Sequence, residues 1–341
     1  MNTRGMKKDR TVLIAVSLTV VFMLAAGLAW WSAHDSPAEP PRALPSAWPS
    51  ANAEAIRPVP MPTGEMAAAL PFGTRGQVLC NAVPEDTWRK VLGGPVLREV
   101  SGAGDCHVIT ADLEVTAGTY DRPSLGGFEP AVVTVAGHPG TLTKSTGTDA
   151  VLTVRLSDTA EQWAAPELQL RVANQVGVRA ERDFRGMAEE LGTAMVGAIT
   201  TPGPSLPNQE EQAHPPEMTP IAGTGVADSA YPLIMRQLCT QLAKALGLAP
   251  EAVEPDWPGT CKHKAGGAEV ELSYNPTSLT QSFGDRFAGR PADVSEPGGV
   301  IEVQLVDGSP QTLVLRVSDL DRTLPGIREL AEKVVPPLLG R

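Results

Sequence analysis

Two cysteine pairs constrain this chain more than any other feature, each spanning a helix-like run and ending at an alternating strand. The first unit begins at Leu79-Cys80 and reaches its second cysteine at Cys106; the second begins at Leu238-Cys239 and reaches Cys261. After Cys106, Ile109, Ala111, Leu113 and Val115 share one face, and after Cys261 so do Ala268, Val270, Leu272 and Tyr274. A period of two marks a half-buried strand. Further on, Ala136-Gly137-His138-Pro139 is answered by Ala288-Gly289-Arg290-Pro291, and Leu168-Gln169-Leu170-Arg171-Val172 by Leu313-Val314-Leu315-Arg316-Val317. Each copy closes with an amphipathic stripe, through Phe184, Met187, Leu191 and Met195 in the first and Leu324, Ile327, Leu330, Val334 and Leu338 in the second. Matching features in the same order point to an internal repeat.

The length of 341 residues suggests two or three domains. Helices at both ends of each copy, with antiparallel-style strands between them, predict an α+β fold. The expected architecture is one N-terminal transmembrane helix followed by two duplicated extracytoplasmic domains, each an antiparallel sheet packed with N- and C-terminal helices. The boundaries expected are a cytoplasmic tail (1–10), an anchor (11–32), a Pro-rich linker (33–74), repeat 1 (75–200), a second Pro-rich linker (201–227) and repeat 2 (228–341).

The anchor is expected because residues 11–31 carry no charge and are long enough to cross a ~30 Å hydrocarbon core as a helix. Arg4, Lys7, Lys8 and Arg10 precede it, which favours a cytoplasmic N-terminus and a bulk outside the membrane. A cleaved signal peptide is the competing reading, but no small-x-small site stands near Ala33-His34. The localisation expected is therefore a single-pass cell membrane protein, with residues 11–32 its contact to lipid. The prolines between His34 and Pro71 favour extended polyproline conformations that act as a spacer. A net charge of −11 argues against nucleic-acid binding, which needs clustered lysine and arginine.

All four cysteines lie beyond residue 32, one pair per repeat, and predict the disulfides Cys80–Cys106 and Cys239–Cys261. Each would close a loop worth on the order of 3 kcal/mol in the chain-entropy account. His107 after Cys106 and His263 near Cys261 place possible metal ligands beside the cysteines. The histidines fall at different offsets and no Cys-x-x-Cys accompanies them, so no metal and no cofactor are expected. No nucleophile elbow, zinc-protease helix or phosphate loop is present, and no catalytic residue is assigned. Gly223-Thr224-Gly225 is not a dinucleotide loop, because Asp228 stands where the third glycine belongs. The one repeated loop with a distinctive side chain is the Gly-x-Pro turn, making His138 and Arg290 a candidate contact loop; shaping a strand entrance is its simpler use.

Cys80-Asn81-Ala82-Val83-Pro84-Glu85 with Leu92-Gly93, and a second cysteine entering a strand, resembles the uncharacterised small envelope lipoprotein domain of actinobacteria. The second copy is similar through Cys239, Leu246-Gly247 and Cys261. Two features of that family are missing: the aromatic residue after the second cysteine, where His107 and Lys262-His263 stand, and the lipid-attachment cysteine. The resemblance implies an α+β fold and a cell-envelope role, without an assigned activity. The function expected is a membrane-anchored binding or scaffold protein with two disulfide-stapled repeats, its partner an envelope protein or wall component, and not an enzyme. The alternatives are an envelope hydrolase or wall-modifying enzyme with a non-local site, and a sensory ectodomain acting through a membrane partner.

Overall fold

The alternating runs after the second cysteines form strands, and those strands seed two sheets. The computed structural model describes residues 53–62, 64–121, 130–143, 147–158, 163–203, 225–256, 259–278, 280, 282–295, 299–319 and 326–341. In the first sheet β1 (Glu54–Ala55), β2 (Leu97–Val100), β3 (Cys106–Ile109), β4 (Leu113–Tyr120), β5 (Ala131–Val135), β6 (His138–Thr143), β7 (Asp149–Arg155) and β8 (Glu167–Asn174) lie in the order β1-β2-β3-β4-β8-β7-β6-β5. In the second, β9 (Glu254–Asp256), β10 (Thr260–Ala265), β11 (Ala268–Asn275), β12 (Asp285–Phe287), β13 (Arg290–Ser295), β14 (Val300–Gln304) and β15 (Thr312–Asp319) lie in the order β12-β13-β14-β15-β11-β10-β9. Read from the other edge, the second order is that of the first without β1. The ladders are antiparallel throughout.

Among the described residues five α-helices accompany the sheets: α1 (Phe72–Ala82), α2 (Glu85–Leu92), α3 (Phe184–Ile199), α4 (Tyr231–Leu246) and α5 (Ile327–Leu338). Asp183 caps α3 by accepting a hydrogen bond from the Gly186 amide at 3.0 Å. Gly93 ends α2 and Gly247 ends α4, both left-handed, where a Cβ would strain the chain. Trp88, Leu79, Val108, Val115, Leu152, Leu170, Leu191 and Met195 build the first core, and Ile234, Leu238, Leu272, Leu315, Leu330 and Val334 the second.

Several expectations are corrected. The two-domain α+β arrangement behind a transmembrane helix gives way to two antiparallel sheets of eight and seven strands with few helices. All described residues belong to one compact unit. Among the described residues no helix is long and apolar enough to cross a membrane. The longest helices, α3 and α4, have 16 residues, short of the ~20 apolar residues a span needs, and α3 carries Arg185, Glu189 and Glu190. The expected single-pass localisation is corrected on the same ground, and residues 11–32 lie outside the described residues. The single strand expected after Cys106 is a hairpin, because Thr110 Oγ1 accepts from the amides of Asp112 (3.3 Å) and Leu113 (2.9 Å) and turns the chain.

Within the stretch expected as the first spacer, the structure places β1, a 3-10 helix (Gly64–Ala69) and the start of α1, with Ala67, Ala68, Ala69 and Leu70 buried. Ala68 and Ala69 enter the second core together with Trp163 and Ala164. Of the stretch expected as the second spacer, Val226 and Ala227 are buried and residues 204–224 lie outside the described residues. Residues of the first half thus pack into the second core, which ties the halves into one unit.

Candidate functional site

Both cysteine pairs are bonded, Cys80 of α1 to Cys106 of β3 and Cys239 of α4 to Cys261 of β10, each with Cα atoms 5.2 Å apart. Each bridge ties the first long helix of its half to the sheet. That fixes where the helix N-terminus emerges, and the N-terminus of α1 forms one wall of a cleft of about 610 Å³. Small-molecule sites run ~300–1,000 Å³. Glu54, Phe72, Gly73, Ser101 and Gly104 contribute from the first half; Thr277, Ser278, Thr280, Phe283, Gln304 and Ser309 contribute from the second.

A buried polar network lies behind the cleft and joins the halves. Arg57 Nη1 and Nη2 donate to Asp228 Oδ2 and Oδ1 at 2.9 and 2.8 Å, a bidentate pair whose carboxylate is 1% exposed. Thr74 Oγ1 donates to the Ala227 carbonyl at 2.9 Å, and Gln311 Nε2 donates to Thr74 Oγ1 at 3.0 Å. Ser309 Oγ donates to Glu54 Oε1 at 3.3 Å, linking residues 255 positions apart. The Arg57 amide and the Asn81 side chain complete the attachment of the N-terminal segment to α1, through Gln77 Oε1 and the Arg57 carbonyl.

Two carboxyls near the cleft are tuned in opposite directions. Burial pushes the Glu54 carboxyl above its ordinary range, more than the Arg57 charge and hydrogen bonds from Ser309 and Gln77 pull it down; Asp228 adds to the rise. Burial also acts on Glu302, yet hydroxyl donors from Ser278 (2.5 Å), Thr280 (2.8 Å) and Thr312 (2.8 Å), with Arg316 nearby, hold it below its ordinary range. Deeper in, Tyr274 is buried and its hydroxyl is driven well above the usual phenol range, chiefly by desolvation. Its Oη has no hydrogen-bond partner among the described residues.

The residues singled out by sequence fall elsewhere. His138 and Arg290 open β6 and β13, each behind a two-residue turn with both φ angles positive: 48° and 87° at Ala136-Gly137, 48° and 76° at Ala288-Gly289. His138 Nδ1 lies 3.2 Å from the Arg155 carbonyl and Arg290 Nη1 donates to Asp307 Oδ1 at 3.1 Å. Neither lines the cleft. His107 stands between Glu99 (2.9 Å) and Glu114 (3.0 Å) across β2, β3 and β4, while His263 lies 2.7 Å from the Ala252 carbonyl. Sequence reasoning missed Glu54, Arg57 and Thr74 because they sit among prolines and glycines without periodicity; the apolar run Ala67-Ala68-Ala69-Leu70 was the available signal that this segment packs.

No protein-family model matches the chain, and no curated protein or solved structure matches it either.

Proposed function

We propose that the chain is a binding protein, and that the cleft shared by its two halves is where the ligand sits. The observation that carries this reading is the construction of the cleft: one wall from each half, joined by a buried bidentate ion pair. A pre-formed concavity with convergent polar groups is the physical hallmark of a ligand site. The hydroxyls at its rim are tied to carboxylates, Ser278 and Thr280 to Glu302 and Ser309 to Glu54, which suits fixed recognition. The disulfides require an oxidising environment to form and persist.

The test is a ligand-observed NMR screen of the full chain against amines, saccharides, carboxylates and short peptides, repeated with Gly102→Trp. Gly102 is exposed at the cleft, so an indole there blocks it without entering the core. Hits that bind the wild type, are lost in the blocked variant and are recovered chemically unchanged fit the proposal. Hits indifferent to the block, or converted to product, contradict it.

A further inference from the structure

Five hydroxyl side chains line the cleft, and three of them spend their hydrogens within the protein. A serine or threonine hydroxyl has one hydrogen and two lone pairs. Ser278 gives its hydrogen to Glu302 Oε1, Thr280 to Glu302 Oε2 and Ser309 to Glu54 Oε1. Gln304 gives one amide hydrogen to the Ser309 carbonyl at 2.6 Å and accepts from the Gly308 amide at 3.2 Å. Several backbone amides are committed too. Thr277 donates to Asn275 Oδ1, Ser278 to the Pro310 carbonyl, Thr280 to Ser278 Oγ, Ser309 to the Val306 carbonyl and Gly104 to the Ser101 carbonyl. Pro276 and Pro310, also in the lining, have no N–H to offer. What remains toward the cleft is rich in oxygen lone pairs, with the Ser101 and Thr277 hydroxyls, one Gln304 amide hydrogen and the first amides of α1 as its donors.

Charge has the same sign. Glu54 is the one ionisable side chain among the lining residues, and the chain as a whole carries −11. Arg57, whose charge acts on Glu54, already spends two N–H groups on Asp228. Two phenyl rings complete the lining. Phe283 is one; Phe72, 48% exposed, is the other and has the Arg75 guanidinium 5.1 Å from its centroid. Aromatic faces attract organic cations by about 0.5–2 kcal/mol. A polyol both donates and accepts, and an anion only accepts; an ammonium group only donates, through three hydrogens and a positive charge.

We infer that the cleft recognises an organic ammonium ion, held by the Glu54 carboxylate and the free lone pairs of Ser278, Thr280 and Ser309, with Phe283 as its aromatic wall. This rests on the cleft being the ligand site, as proposed above. Glu54 then stands in tension with the fold. Its charge is costly where it is buried, with Arg57 and Asp228 as the charged groups facing it, and is repaid when the cation binds.

The experiment is isothermal titration of the full chain near pH 7.5 and physiological salt with trilysine, 1,5-diaminopentane, Nε-acetylated trilysine, triglutamate and maltotriose. At least one amine is expected to bind. Acetylation should weaken trilysine at least tenfold, and Glu54→Gln should weaken the amine at least tenfold while the ligand-free variant melts at or above the wild-type temperature. A residue with a merely structural role would lower the melting temperature instead. Glu332→Gln, an exposed acid on α5, should leave binding unchanged. If Glu54→Gln does not fold, Phe283→Leu supplies the test, with at least a threefold loss expected. Binding of the diamine alone identifies a free amine, and binding of trilysine alone identifies a lysine-bearing peptide. Maltotriose or triglutamate bound in a manner abolished by Gly102→Trp, without amine binding, overturns the ammonium assignment and leaves the cleft as a ligand site. Absence of any cleft-dependent binding overturns both.

Discussion

Asp228→Ala strikes the point where the two halves are held together. The substitution removes a carboxylate that is 1% exposed and accepts two hydrogen bonds from Arg57 and a third from Thr74 at 3.3 Å. Thr74 keeps its bond to the Ala227 carbonyl, so the stranded group is the guanidinium. Removing one partner of a buried pair costs ~3–5 kcal/mol, much of it the penalty of the charge left behind. Arg57 retains 23% exposure, so water relieves part of that charge and the lower end, about 3 kcal/mol, is expected here. For a unit of this size the loss corresponds to a fall of roughly 6–10 °C in melting temperature. Thermal and urea denaturation followed by circular dichroism, under non-reducing conditions, measures it. The double variant Arg57→Met/Asp228→Leu removes both charges and should recover more than half of the loss, since apolar replacement of a whole buried pair is often neutral. A single-variant loss below about 1 kcal/mol, or a double variant no better than the single, refutes the claim that this pair joins the halves.

Removing the Cys80–Cys106 bridge by a double Cys→Ala change should lower stability by about 3 kcal/mol on loop entropy, read from the urea midpoint. Gly76→Ala should cost ~1–3 kcal/mol as overpacking, because the new Cβ would sit 2.5 Å from the Gly104 carbonyl oxygen and 2.7 Å from Val100 Cγ1. His107 is raised above its ordinary range, first by its hydrogen bond with Glu114, against desolvation, and then by Glu99. Its contribution is therefore complete below the unfolded histidine value of about 6.5 and is lost as pH rises through the folded value. His107→Gln should cost ~1.5–3 kcal/mol at pH 6, the range for hydrogen bonds to charged groups, and markedly less at pH 9; an equal cost at both pH values counts against the pairing of His107 with Glu99 and Glu114. Glu54 is raised by burial, so its ionisation destabilises the empty protein at neutral pH. Glu54→Gln should accordingly melt no lower than wild type at pH 7.5, and the difference should vanish toward pH 4.

The strands were the legible part of the fold. Alternation at Ala268–Tyr274, Val300–Val306 and Leu313–Val317 marks segments that form β11, β14 and β15, since half-buried strands leave a period-two record. The cysteines named their own partners. Helix α1 left no such record. Its glycines, Gly73 and Gly76, are poor helix formers, and Gly76 is there because the β2–β3 turn passes too close for any side chain. Burial on nearly every side of α1 further erases the amphipathic stripe that reveals a surface helix. The cleft was illegible for another reason: Ala68, Ala69 and Trp163 of the first half pack into the second core and Glu54 meets Ser309 across the halves, contacts that leave no local periodicity. His138 and Arg290 illustrate the converse. They recur because a positive-φ turn recurs, and in the structure they hold strand ends.

The most direct measurement is a map of backbone amide chemical shifts on the isotope-labelled full chain as trilysine or 1,5-diaminopentane is titrated in at physiological salt. A shared cleft predicts saturable shifts on both walls together, at Gly73, Ser101 and Gly104 from the first half and Thr277, Ser278 and Gly308 from the second, with one common dissociation constant. Shifts confined to one half, or scattered over the acidic surface without saturation, would contradict the account.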